Sequence, residues 1–220
     1  GVLQDPRWHP EGDVWIHTLR CMDAFADERT GDAWEDLVVG FAVLCHDLGK
    51  PDTTTTGEDG KIRSYGHEAR GVELTRSFLD RLTSHRKLAA EVTPLVAEHM
   101  RPSTLYEAQA SAAAVRRLAA RVKRIDRLVR VARADAFGRP PLPAGDYPAG
   151  DWLLEKAEAL GLKDRTPDPI VLGRHLMAAG LPPGPGFGKI LGRCFEAQLA
   201  GDFTDEAGGL AYLKKILKKR

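Results

Sequence analysis

Apolar residues recur at steps of three and four along most of this 220-residue chain, and the strict alternation of a half-buried strand is hardly seen. The stretch "DVWIHTLRCMDAFAD" predicts a helix with Val14, Leu19, Met22 and Phe25 turned inward. "AWEDLVVGFAVLCHD" predicts a second, with Leu37, Phe41, Leu44 and Cys45 apolar and Gly49 as its natural stop. "GHEARGVELTRSFLDRL" and "LAAEVTPLVAEHM" follow, with Pro94 in a first turn or at a kink. A long helix or helix pair covers "SAAAVRRLAARVKRIDRLVRVARADAFGR", whose stripe Leu118, Val122, Ile125, Val129 and Ala132 makes one buried face. The proline- and glycine-rich "GRPPLPAGDYPAGD" then reads as a surface linker. Beyond it, "WLLEKAEALGL", "PIVLGRHLMAAGL", "GFGKILGRCFEAQLAGDF" and "EAGGLAYLKKILKKR" predict short helices. The expected fold class is all-α: a helical bundle over residues 1–139, a linker over 140–150, and a smaller C-terminal helical appendage over 151–220.

Composition narrows the function classes. A hydrophobic share of 43% with 29% charged residues is that of an ordinary globular protein. The net charge of +1 makes no whole-molecule case for nucleic acid or an anionic surface. Cys21, Cys45 and Cys194 share no C-x-x-C spacing, which argues against a zinc ribbon or a disulfide framework and for reduced thiols in the cytoplasm. No apolar run reaches 18 residues, so no membrane partner is expected.

The chemistry lies in the polar residues that interrupt the apolar faces. His17 falls in the first helix, and His46 and Asp47 at the end of the second. His67 opens the third, His99 closes the fourth, and Asp135 flanks the buried stripe of the long helical region. Burying such groups without partners is costly. A bundle can instead turn them onto a shared metal, because facing helices supply one or two ligands each. Adjacent residues of a regular helix point about 100° apart. His46 and Asp47 therefore reach one ion only where the helix unwinds, and "LGKP" permits that ending. Imidazole with carboxylate suits first-row transition ions better than calcium. His9, His85 and His175 sit in polar or turn-like contexts and read as ordinary structural histidines.

The order His, His-Asp, late Asp resembles the signature of the HD-domain metal-dependent phosphohydrolases. "DPRWHPEGDVWIHTL", "LCHDLGKPDTTT", "GHEARG", "RADAFGR" and "DYPAGDWLLEKA" are similar to the HD portion of bacterial tRNA nucleotidyltransferases, the CCA-adding enzymes. The tail "VLGRHLMAAGLPPGPGFGKILGRCFEAQLAGDFTDEAGGLAYLK" is similar to their C-terminal region. The nucleotidyltransferase head is missing, since no G-G-x-x-R-D-like segment occurs. The chain is thus expected to be either a piece of a longer enzyme or a stand-alone hydrolase, and not to add CCA by itself.

The resemblance implies His17, His46, Asp47 and Asp135 on a first metal, and His67 and His99 with a bridging Asp47 on a second. It implies one or two divalent ions (Mn, Ni, Co, Fe or Zn, with Mg also admitted). Lys50 would neutralise charge building on the phosphate, or else serve as a cation at a helix C-terminus. Arg101, Arg133 and Arg139 are candidate phosphate contacts, and Glu68 is either a proton acceptor or a first-turn acid. Residues 116–139 hold nine Lys or Arg against two Asp, and Arg116, Lys123, Arg127 and Arg130 form one stripe. That stripe reads as a solvated helix face or a contact to tRNA phosphates. The expected activity is hydrolysis of a phosphorylated nucleotide or RNA terminus, chiefly a 2′,3′-cyclic phosphodiesterase with 2′-phosphatase activity. The alternatives are a dNTP or signalling-nucleotide hydrolase, or a non-catalytic RNA-binding appendage of a tRNA nucleotidyltransferase.

Overall fold

Helix α1 (Val14–Asp27) starts where Asp13 accepts hydrogen bonds from the Trp15 and Ile16 amides, and α2 (Ala33–Cys45) starts where Asp32 does the same for Trp34 and Glu35. A side chain taking up the orphan amides of a first turn is what an N-cap supplies. The structure, a computed structural model, describes residues 1–140 and 146–218. After α2 come α3 (Lys50–Thr53), a short antiparallel hairpin of β1 (Thr55–Thr56) and β2 (Ile62–Arg63), α4 (His67–Leu82) and α5 (Arg86–Glu98). Then follow α6 (Arg101–Glu107), α7 (Ala112–Val122), α8 (Ile125–Phe137), α9 (Pro148–Ala159), α10 (Gly173–Ala178), α11 (Gly186–Ala200) and α12 (Glu206–Leu217). Among the described residues the chain is all-α apart from that hairpin.

The first core is built around α2, which touches α1, α5 and α8, while α4 packs on α5. Val38, Val39, Ala42, Val43 and Cys45 of α2 are buried there with Val92, Val96, Leu118, Leu128 and Val131. The long helical stretch is a pair, broken where Lys123 takes a positive φ of 63° and Arg124 is extended. Pro94 lies inside α5. Helix α6, which carries "RPSTLYE", was not anticipated from the periodicity.

Two expectations need correction. Leu19 points outward, at 45% exposure, because the face carrying His17 and Cys21 on α1 meets the core instead. Three of the four cations of the basic stripe of α7 and α8 are taken up inside the molecule, and Lys123 stays exposed. Arg127 is buried and donates to Glu35 and Glu91, Arg130 to Asp36, and Arg116 to the Leu199 carbonyl. Helix α8 has neighbours on several sides, so its cations meet acids on α2 and α5. Leu153, Ala157 and Leu162 of α9 and the turn after it are buried in the first core. Residues 141–145 of the expected linker lie outside the described residues.

Helices α10 to α12 gather a second cluster around Leu176, Ile190, Cys194, Leu213 and Ile216. It joins the first through α7 and α11, where Arg117 and Glu196 pair at 3.2 Å. No described helix is long and apolar enough to cross a membrane.

Candidate metal centre

The turn after α2 carries the adjacent His46 and Asp47. His46 ends the helix, and the amides of Leu48 and Lys50 bond back only three residues, to the carbonyls of Cys45 and Asp47. This tightened ending swings Asp47 round beside His46 and into the bundle. Gly49 then lets the turn press onto α4. A Cβ there would stand 2.0 Å from the His67 carbonyl oxygen, so no larger residue fits without moving one element. Across the bundle, Gly138 plays the same part for α8, where a Cβ would meet the Cys21 sulfur at 2.4 Å.

These contacts bring His17, His46, Asp47, His67, His99 and Asp135 together. The histidine rings form a chain: His17–His46 centroids are 5.4 Å apart, His46–His99 5.2 Å and His67–His99 5.3 Å. Two groups can be separated by their donor atoms. One is His17, His46 and Asp135, with the Cys21 sulfur alongside; the other is Asp47, His67 and His99. Asp47 joins them, its Oδ2 lying 3.3 Å from His46 Nε2 and its Oδ1 3.5 Å from His67 Nε2.

Ring protons settle what these atoms can do. Nδ1 of His46, His67 and His99 each lies 2.7–2.8 Å from the carbonyl oxygen three residues earlier (Val43, Ser64 and Val96). A carbonyl only accepts, so each Nδ1 carries a proton and, in a neutral ring, Nε2 presents a bare lone pair. His17 is fixed likewise by Glu11 Oε1 at 2.7 Å from its Nδ1. The result is two Nε2···Nε2 approaches of 3.4 Å, His17 to His46 and His67 to His99. Lone pairs facing each other repel unless a cation or a proton lies between them. Imidazoles locked at Nδ1 and bare at Nε2 are the arrangement that metal-ligating histidines adopt.

The charges agree. Burial pushes Asp47 up, but His46 and Lys50 outweigh it and hold the carboxyl well below its ordinary value. Asp135 is likewise pushed up by burial and held well below its ordinary range by Arg139 and His17. His46 is raised despite burial, because Asp47 and Asp135 favour its proton, whereas burial and the His46 charge lower His99 to about 4. Asp47 Oδ2 is buried and has no aligned hydrogen bond. Lys50 Nζ stands 2.7 Å from it but donates to Gln4 Oε1, also at 2.7 Å. Two ionised buried carboxylates beside imidazoles whose Nε2 atoms turn inward fit a divalent cation. Burial and the two carboxylates raise the Cys21 thiol, which weakens it as a ligand.

The cluster floors a cavity of about 620 Å³, lined by Asp47, Lys50, His67, His99, Asp135 and Arg139 among others. Arg139 stands 3.3 Å from Asp135 Oδ1, and Glu68 Oε2 is 3.4 Å from His67 Nδ1. The other two arginines are placed elsewhere. Arg101 pairs with Glu98, and Arg133 with Glu28 and Asp151, and neither lines the cavity. On α6 and α8 they face acids of neighbouring elements, so the cavity geometry lends no support to their expected phosphate contact.

Three residues were missed. His9 lines the cavity, its ring 4.7 Å from that of His17, and its Nδ1 shares Glu11 at 2.9 Å. Gln4 is the third, buried against Lys50. The signal was the segment "WHPEGD", whose His-x-Glu spacing lets both histidines bond one carboxylate. His85 stays exposed at the start of α5, and His175 accepts the Leu172 amide in α10.

The HD domain family matches residues 14–137, the span from the first turn of α1 to the last of α8. The multifunctional CCA protein of Halorhodospira halophila is 35% identical over 167 residues, covering 72% of this chain. The match spans 37% of that relative, so the chain corresponds to about a third of its length. No solved structure matches the chain significantly.

Proposed function

The chain belongs to the HD-domain family of metal-dependent phosphohydrolases, and from that premise we propose that it opens 2′,3′-cyclic phosphates on RNA ends or nucleotides and then removes the 2′-phosphate. The observation that carries the reading is Asp47, buried at the floor of a nucleotide-sized cavity with one oxygen toward each histidine group. His17, His46, Asp47 and Asp135 would hold one ion, and Asp47, His67 and His99 another. When bound, such ions lower the pKa of water and neutralise charge on phosphoryl oxygens.

The chain's own residues do the rest. Lys50 keeps Asp47 ionised and borders the cavity, where negative charge would build on the phosphate. Arg139 holds Asp135 and leaves guanidinium N–H groups for a phosphate oxygen. Glu68, beside His67 at the cavity wall, takes the proton released when water attacks. The Cys21 thiol is buried and held protonated, which favours water over a protein nucleophile. The Halorhodospira relative is a CCA protein, which supports an RNA end as the substrate.

The test offers 2′,3′-cyclic AMP, a cyclic-phosphate-ended oligonucleotide, a 2′-mononucleotide and a deoxynucleoside triphosphate, each with Mn, Ni, Co or Mg. The cyclic substrates should turn over fastest, and a chelator should stop the reaction. Faster hydrolysis of the triphosphate under every metal would replace this reading with a nucleotide hydrolase. No turnover of any substrate would leave a non-catalytic RNA-binding appendage.

A further inference from the structure

Two large aromatic side chains stand in water at the mouth of the cavity. Trp8 is 67% exposed and Tyr65 is 80% exposed, and both line the cavity above the histidine cluster. Aromatic rings of this size are ordinarily covered, because each can remove about 150–250 Å² from water. Both are held by tight local structure. Trp8 sits in a turn where the Trp8 and His9 amides bond the Asp5 carbonyl, and it directly precedes His9. Tyr65 follows the hairpin, and Gly66, at φ +77°, turns the chain straight into His67. Arg7 and Trp8 of the turn and Ile62 and Arg63 of the hairpin line the same cavity, so the turn and the hairpin border one mouth.

Aromatic faces at the rim of a cavity lined below by cationic and metal-ligand groups match a nucleotide, whose phosphate goes down and whose base stays near the surface. Neighbouring cations do not extend the site along a strand: Arg7 is taken up by Asp5, and Arg63 by Asp59. We propose that Trp8 and Tyr65 form the base-binding site of this cavity, stacking on the nucleobase of the terminal nucleotide whose phosphate lies over the histidine cluster. This rests on the cavity being a phosphoester site, as proposed above. Stacking reads a π-face rather than a hydrogen-bond pattern, so the site accepts any base and prefers purines for their larger face.

The experiment is calorimetric binding of adenosine 2′-monophosphate and of ribose 2-phosphate to the manganese-loaded protein. The wild type should bind the nucleotide at least tenfold tighter. Trp8→Ala and Tyr65→Ala should each weaken nucleotide binding roughly tenfold and leave ribose 2-phosphate unchanged. Trp8→Phe and Tyr65→Phe should restore most of the loss. The proposal is overturned if the wild type binds both ligands alike, if the alanine variants bind the nucleotide normally, or if they lose both ligands equally. Binding of this pattern without hydrolysis of a cyclic phosphate would reject the proposed reaction and leave the base site standing.

Discussion

Asp47 and Glu11 illustrate two ways in which a buried carboxylate serves this site. Asp47 faces both histidine groups directly. Replacing it with Ala should therefore remove bound metal and turnover together, and full metal content with full activity in that variant would disprove the bridging role. Glu11 accepts from both His9 and His17, and its carboxylate orients His17 through Nδ1. Glu11→Gln should weaken the first ion about 10–100-fold, the usual cost of losing such a support. Chelator competition measures it, and wild-type affinity would contradict the role. The sequence made the six ligand-type residues legible because each interrupts an apolar helix face or end. His9, Glu11 and Gln4 stayed hidden because they precede α1 in irregular chain, where periodicity carries no information about direction.

At the scale of elements, the close packing of the α2–α3 turn on α4 should be the weakest point for substitution. Gly49→Ala forces the turn and His67 apart, because the added carbon would overlap the carbonyl oxygen. A loss of about 2 kcal/mol or more and a weaker second ion are expected, read by thermal unfolding and metal titration. The ion-pair seam of Arg127 with Glu35 and Glu91 ties α8 to α2 and α5. Removing the arginine takes the buried partner from both acids and leaves Glu35 to Arg124 and Glu91 to Lys87 and the Trp34 indole, so Arg127→Met should cost about 1–2 kcal/mol at neutral pH. Hydrogen bonds from Arg127 hold Glu35 below its ordinary 4.5. That stabilisation is present above 4.5 and is lost as pH falls through the lower folded value. The gap in Tm between wild type and variant should therefore narrow below about pH 4.5; a gap that widens there would refute the assignment. Helix positions were readable from apolar spacing, but this seam was not. A cationic stripe looks the same whether it faces water or acids from distant helices, and only the packing of α8 decides.

For the whole molecule, metal and fold should be linked, since the ligands come from α1, α4, α8 and the helix ends at His46 and His99. Metal at a hundred times its Kd stabilises a fold by about 2.7 kcal/mol. A chelator should thus lower Tm by roughly 5–10 °C. The gain should shrink as pH falls from 7 to 5, because acid returns the proton that Asp47 and Asp135 favour on His46 and the metal must displace it. An equal chelator effect at both pH values would count against imidazole ligation. The all-α class followed from the sequence pattern, whereas the place of α9 in the first core was not legible. Leu153 and Ala157 carry no mark of which cluster they join. The central claim is that two ions share Asp47, and metal stoichiometry of the dialysed, manganese-saturated protein tests it most directly. Two ions per chain are expected for the wild type, one for His67→Ala and for His99→Ala, and none for Asp47→Ala. Two ions retained in all four proteins would contradict the account.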